Sequence, residues 1–125
     1  MKAKLFVTDM DGTLLNSEHK ISRGNKHAIK RAVEAGVVFT IATGRMYAST
    51  LPYAQELELD VPIITYNGAL IKTASGKELY ASYLEEDLVK ELLDFAGEQE
   101  LYIHLYSDDK LYFKENDEHA QFYQK

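Results

Sequence analysis

Residues 8–15 read TDMDGTLL, directly after the apolar run LFV at 5–7. A short apolar strand that ends in two aspartates one residue apart, with Gly-Thr behind them, has two readings. Acids and glycine at a strand end make ordinary turns, because Asp side chains bond nearby backbone amides. The same arrangement also aims two carboxylates and several backbone N–H groups at one place, which suits phosphoryl transfer. Asp9 and Asp11 share a face of an extended strand, and a turn at its end can aim them apart. Gly12 permits that turn. One carboxylate can attack phosphorus, while the other protonates the leaving oxygen and then activates water. An anionic nucleophile facing an anionic ester needs a cation beside it, and Mg2+, which takes oxygen ligands, fits that need.

The next fifty residues give the acids a setting. A strand over 4–8 is followed by a polar loop, and Ser22 can cap a helix that runs to residue 35. Ile21 is placed to staple that helix, and Gly36 stands where a C-terminal glycine belongs. Residues 37–42, VVFTIA, form a β-branched second strand, and a helix follows over 46–57. Pro52 lies inside it and predicts a late start or a kink. Pro62 opens a third strand, IITY, that ends at Asn67-Gly68. Strand, helix, strand, helix, strand with crossovers of this length predicts a parallel sheet flanked by helices. Ligands bind such sheets beyond the carboxyl ends of the strands. There the endings Asp9-Met10-Asp11-Gly12, Thr43-Gly44-Arg45 and Asn67-Gly68 would meet.

After Gly68 the pattern changes. ALIKT and KELYASY flank Ala74-Ser75-Gly76 and read as a hairpin. Glu85-Glu86-Asp87 opens a helix whose apolar stripe is Leu84, Leu88, Leu92 and Phe95 or Ala96, with Gly97 fraying its end. LYIHLYS and KLYFK form a second hairpin across Asp108-Asp109. Leu101, Ile103 and Leu105 face one way along it; Tyr102, His104 and Tyr106 face the other. The tail from Asn116 reads as the start of a further element. His19, His27 and His119 lack the spacing of metal ligands and read as surface residues.

Composition narrows the classes. Of 125 residues 46% are hydrophobic and 27% charged, the balance of a globular domain. No stretch approaches the ~18 apolar residues of a membrane span. The short apolar start reads as a strand rather than a signal peptide. There is no cysteine, which excludes disulfides and thiolate zinc sites and fits a cytoplasmic location. A net charge of −6 without a basic block argues against nucleic-acid binding.

DMDGTLL resembles the first motif of the haloacid dehalogenase superfamily in its phosphatase form, DxDGT. IATGR at 41–45 resembles the second motif, and ITYNGALI at 64–71 resembles the Asn-Gly-Ala segment of the Cof-type sugar-phosphate phosphatases. The resemblance implies an α/β fold. Residues 1–83 would form an incomplete Rossmann-like parallel sheet core, and residues 84–125 the beginning of an α+β cap. It implies a Mg2+-dependent phosphatase of small phosphorylated metabolites, working through an aspartyl-phosphate. Asp9 would be nucleophile and metal ligand. Asp11 would be the acid/base, its backbone carbonyl a second metal ligand. Thr43 and Gly44 would hold the transferring group, with the Met10 and Asp11 N–H groups completing the cradle. Arg45 and Asn67 would contact substrate or brace the site. The tyrosines around His104 read as an exposed strand face, or as a cap surface toward the leaving group.

The family's lysine and second acidic pair, which lie after the cap, have no counterpart in that context here. The chain therefore reads as the N-terminal portion of a larger enzyme, with its first strand open to self-association along a bare edge. Two alternatives keep the same first motif: a catalytically incomplete piece that needs another segment, and a phosphomutase. A phospho-accepting receiver domain would need an aspartate where Tyr66-Asn67 stands.

Overall fold

The computed structural model describes residues 3–114, so the tail from Asn116 and His119 fall outside it. The chain divides between Ser82 and Tyr83 into two compact units.

In the first unit, β1 (Leu5–Thr8) and β2 (Val38–Ile41) pair in parallel, with Leu5 opposite Val38 and Thr8 opposite Ile41. The connection between them carries α1 (Arg23–Glu34). Ser22 caps this helix, its Oγ accepting the Asn25 N–H at 3.1 Å. At the other end Gly36, at φ +83°, reverses the chain. Its N–H reaches the Val33 carbonyl at 2.9 Å, and the Val37 N–H reaches the Ala32 carbonyl at 3.0 Å. Both bonds satisfy carbonyls that the helix end leaves unpaired. After β2, α2 (Tyr47–Glu56) carries Pro52 within its length rather than before its start.

β3 (Pro62–Thr65) lies beside β2 in the parallel sense. The Thr43 N–H donates to the Ile64 carbonyl at 2.9 Å, and the Thr40 hydroxyl donates to the Pro62 carbonyl. The same strand then pairs antiparallel with β4 (Leu70–Thr73), which pairs with β5 (Glu78–Ala81). The expected parallel sheet is therefore paired over β1 and β2, and β3 joins it through a single parallel bridge, Ala42 opposite Ile64, while heading an antiparallel meander of its own. Tyr66 does not extend β3. Tyr66, Asn67 and Gly68 have φ of 51°, 54° and 98°, and this left-handed run reverses the chain into β4.

Buried Met10, Phe39, Ile41, Ala54 and Ile63 form the centre of the core, with Leu14, Leu15, Ile21 and Ile29 around them. Leu5, Phe6 and Val7 stay exposed, and β1 pairs only with β2 among the described residues.

The second unit contains α3 (Glu86–Glu98) and a hairpin of β6 (His104–Ser107) and β7 (Lys110–Phe113). Gly97 does not end α3, which runs one residue past it. Of the expected stripe only Ala96 is buried, while Leu84, Leu88, Leu92 and Phe95 remain exposed. The hairpin turns at Asp108 and Asp109, both left-handed. The His104 ring lies 5.7 Å from that of Tyr102 and 5.2 Å from that of Tyr106, so the three share a face as the alternation predicts. Among the described residues no helix is long and apolar enough to cross a membrane.

Candidate active site at the strand ends

β1 delivers Asp9 to the end of the sheet, and a single wide turn over Met10–Leu14 follows at once. The Leu15 N–H closes this turn on the Met10 carbonyl at 2.9 Å. Met10 is fully buried beneath it, so the turn is pinned to the core by its apolar member while its acids stay outside. Gly12 takes φ +70°, a left-handed conformation that costs a residue with Cβ about 1–2 kcal/mol. Asp9 Oδ1 accepts the Met10 N–H at 2.7 Å, which fixes the carboxylate against its own backbone. This bond engages one of the two amides expected in the phosphate cradle.

β2 delivers the second group. Thr43 is buried at the strand end, and its Oγ1 accepts the Arg45 N–H at 3.2 Å. Its hydroxyl hydrogen is left to donate elsewhere. The loop after β3 is laced onto it: the Asn67 N–H reaches the Thr43 carbonyl at 3.2 Å, and the Tyr66 N–H reaches the Arg45 carbonyl at 3.0 Å. Gly44 lies so close to Asn67 that a Cβ there would sit 2.9 Å from Asn67 Oδ1. Asp9, Thr43, Gly44, Asn67 and Gly68, with Ala42 and Ile64 at the base, line one open groove of about 400 Å³. The three strand endings thus converge as expected.

Asp11 and Arg45 do not line this groove. Arg45 Nε and Nη2 donate to the two oxygens of Asp11 at 2.7 and 2.6 Å. The guanidinium also lies over the Tyr53 ring, 5.7 Å from its centroid. The Tyr53 hydroxyl donates to the His19 carbonyl at 3.0 Å, and His19 Nδ1 comes within 3.8 Å of Asp11 Oδ1. The Arg45 hydrogen bonds hold the Asp11 carboxyl below its ordinary 3.8; partial burial opposes them, and the charges of Arg45 and His19 add to them. The same pairing raises Arg45. The sequence places Arg45 at the site without revealing its partner, reads His19 only as a surface residue and does not single out Tyr53. A separation of 34 residues between Asp11 and Arg45 has no periodic signature.

Asp9 Oδ2 accepts no hydrogen bond from the described residues and suits a hard cation such as Mg2+. With its carboxylate held by Arg45, Asp11 has its backbone carbonyl to offer. Among the described residues no three acidic or histidine side chains cluster to hold a metal.

A Rossmann-like sheet whose first strand ends in Asp-x-Asp and whose second ends in Thr-Gly marks a class, the Rossmann-like hydrolases that carry an aspartate at the strand end. The profile of haloacid dehalogenase-like hydrolases matches residues 6–125, and the chain belongs to that family. It is 37% identical over 108 residues to the 5-amino-6-(5-phospho-D-ribitylamino)uracil phosphatase YwtE of Bacillus subtilis, covering 86% of this chain and 37% of that protein. To the HMP-PP phosphatase of Yersinia pestis it is 36% identical over 114 residues, 91% of this chain and 42% of that protein. A haloacid dehalogenase-like hydrolase from Bacteroides thetaiotaomicron superposes with a TM-score of 0.85 at 32% identity, over 98% of this chain and 48% of that one. A HAD/COF-like hydrolase from Plasmodium vivax superposes with a TM-score of 0.80 at 27% identity, over 98% and 46%. The chain spans less than half the length of each of these four proteins.

Proposed function

We propose that this chain carries the nucleophile half of a Mg2+-dependent phosphatase acting on small phosphorylated metabolites such as sugar phosphates. The observation that carries the reading is the placement of Asp9. Its carboxylate is tethered through one oxygen by the Met10 N–H and faces the groove that Thr43, Gly44 and Asn67 line. A nucleophile needs this combination of fixed aim and one free oxygen.

Asp9 attacks phosphorus, and the bond to the leaving oxygen breaks as that oxygen takes a proton from Asp11. Water then attacks the aspartyl-phosphate, giving its proton to Asp11 and releasing inorganic phosphate. Thr43 donates its hydroxyl to the transferring group, and the Gly44 N–H stands beside it. Mg2+, held by Asp9 and the Asp11 carbonyl, would neutralise charge between nucleophile and ester. The rest of its shell falls to water, substrate or donors outside the described residues. A second reading, a chain that is catalytically incomplete by itself, is favoured by its spanning 37% and 42% of the two phosphatases it matches.

The test is hydrolysis of p-nitrophenyl phosphate with Mg2+, by this chain and by the longest polypeptide its reading frame encodes. The expected result is turnover by at least the longer polypeptide. Asp9→Asn should lower it by roughly a thousandfold or more, and a chelator should abolish it. Turnover that survives Asp9→Asn would sink the reading. Turnover by the longer polypeptide alone would select the second.

A further inference from the structure

The Asp11–Arg45 pair conflicts with the work proposed for Asp11. A carboxylate whose two oxygens both accept from one guanidinium, at 2.7 and 2.6 Å, has neither oxygen aimed at a leaving group. For Asp11 to serve, the fork must leave it. The pair is placed to part. The Asp11 side chain is 50% exposed and that of Arg45 25% exposed, and pairs this open contribute little net stability. Arg45, by contrast, is held beside the groove without lining it. Its backbone is fixed on both sides, through the Arg45 N–H to Thr43 Oγ1 and the Arg45 carbonyl to the Tyr66 N–H. The central carbon of its guanidinium lies over the Tyr53 ring, 5.7 Å from the centroid, and the Tyr53 hydroxyl donates in turn to the His19 carbonyl. Arg45 also follows Thr43 and Gly44, which line the groove, by only two residues and one. A fork released from Asp11 needs another planar acceptor, and phosphate and carboxylate oxygens match its geometry.

We propose that Arg45 exchanges partners, holding Asp11 in the free protein and passing its guanidinium to an oxyanion of the substrate on binding. This rests on the phosphatase reading and adds to it. Arg45 becomes the residue that couples substrate arrival to the freeing of Asp11. Its ligand is an oxyanion, either the phosphoryl group itself or an acid group on the remainder of the substrate.

The test is NMR of the 15N-labelled chain. It has three arginines, so the Arg45 Nε–Hε signal is assigned by its loss in Arg45→Lys. Asp11→Asn gives the position of the unpaired fork. The chain is titrated, with and without Mg2+, with inorganic phosphate and separately with phosphonoacetate, which adds a carboxylate. The expected result is that the Arg45 signal leaves its Asp11-paired position along the same saturation curve as the Thr43 and Gly44 amides. Movement with phosphate alone assigns the fork to the phosphoryl group; movement only with phosphonoacetate assigns it to the second acid. If the Thr43 and Gly44 amides shift while the Arg45 signal stays in place with both ligands, the exchange is overturned and the phosphatase reading stands. If neither ligand moves those amides, the exchange is overturned in this chain, while the phosphatase reading is decided separately by the hydrolysis assay.

Discussion

Two hydrogen bonds from one guanidinium give Asp11 a measurable acid signature. They hold its carboxyl below 3.8 in the folded chain, so the unfolded state binds the proton more tightly. The sign follows from linkage: the pair contributes stability above the ordinary carboxylate range, and that contribution disappears as pH falls through the depressed value. Asp11→Asn should therefore lower Tm modestly at neutral pH, and the gap to the parent should close below about pH 4. A gap constant across that range would mean the pair contributes nothing, as many half-exposed pairs do. Gly44 makes a different kind of prediction. The atom a new Cβ would strike is the end of the Asn67 side chain, 2.9 Å away, and that end can swing aside. Gly44→Ala should thus cost the fold less than about 1 kcal/mol, below the usual range for overpacking. It should still weaken phosphate binding several-fold, because Asn67 leaves its place in the groove. Calorimetry and a phosphate titration of the same variant separate the two effects.

Helix α1 shows how a local signal is read from sequence and what it contributes. Ser22→Ala removes the acceptor for the Asn25 N–H and should cost about 1 kcal/mol, roughly 4 °C in Tm by thermal unfolding. Ser22 and Gly36 were legible because a cap acts on amides and carbonyls within four residues of itself. Pro52 was expected to delay or bend α2, and the structure instead carries it inside a helix that begins at Tyr47. Tyr66 was not legible. A left-handed aromatic residue is unfavourable locally, and it is held by its own N–H bond to the Arg45 carbonyl and by the neighbouring Asn67 N–H bond to the Thr43 carbonyl, both more than twenty residues back. The double role of β3 was hidden for a related reason. An apolar Ile-Ile-Thr run marks a strand but says nothing about which neighbours lie on its two edges. For the site, the strand endings announced Asp9, Thr43 and Asn67 because a parallel sheet carries such endings to one side. Nothing local announced that Asp11 would meet Arg45 and His19, or that Arg45 would lie over Tyr53.

At the scale of the molecule, the apolar surface of the first unit is unevenly covered. Ile41 and Ile63, on β2 and β3, are buried. On β1, Leu5, Phe6 and Val7 are 57%, 53% and 45% exposed, and Val38 opposite Leu5 is 46% exposed. Successive residues of a strand point to opposite faces, so both faces of β1 are open. Its outer edge also lacks a strand partner among the described residues. Phe6 still stacks on Phe39, with ring centroids 5.4 Å apart, which adds a side-chain contact to the backbone pairing of β1 with β2. An apolar, unpaired strand edge is a template for a second strand, and the second strand most available to a chain in solution is another copy of itself. We expect this chain to self-associate through β1, with a weight-average mass in sedimentation equilibrium that rises with concentration. Leu5→Lys puts a charge on that edge at the end of β1 away from Asp9. It should return the mass toward that of the monomer while leaving Tm at low concentration within about 2 °C, since surface changes stay near ±0.5 kcal/mol. A parent mass that does not vary with concentration would rule out association through this strand. Association that Leu5→Lys leaves intact would move it to another surface, such as the exposed stripe of Leu84, Leu88 and Leu92 around α3.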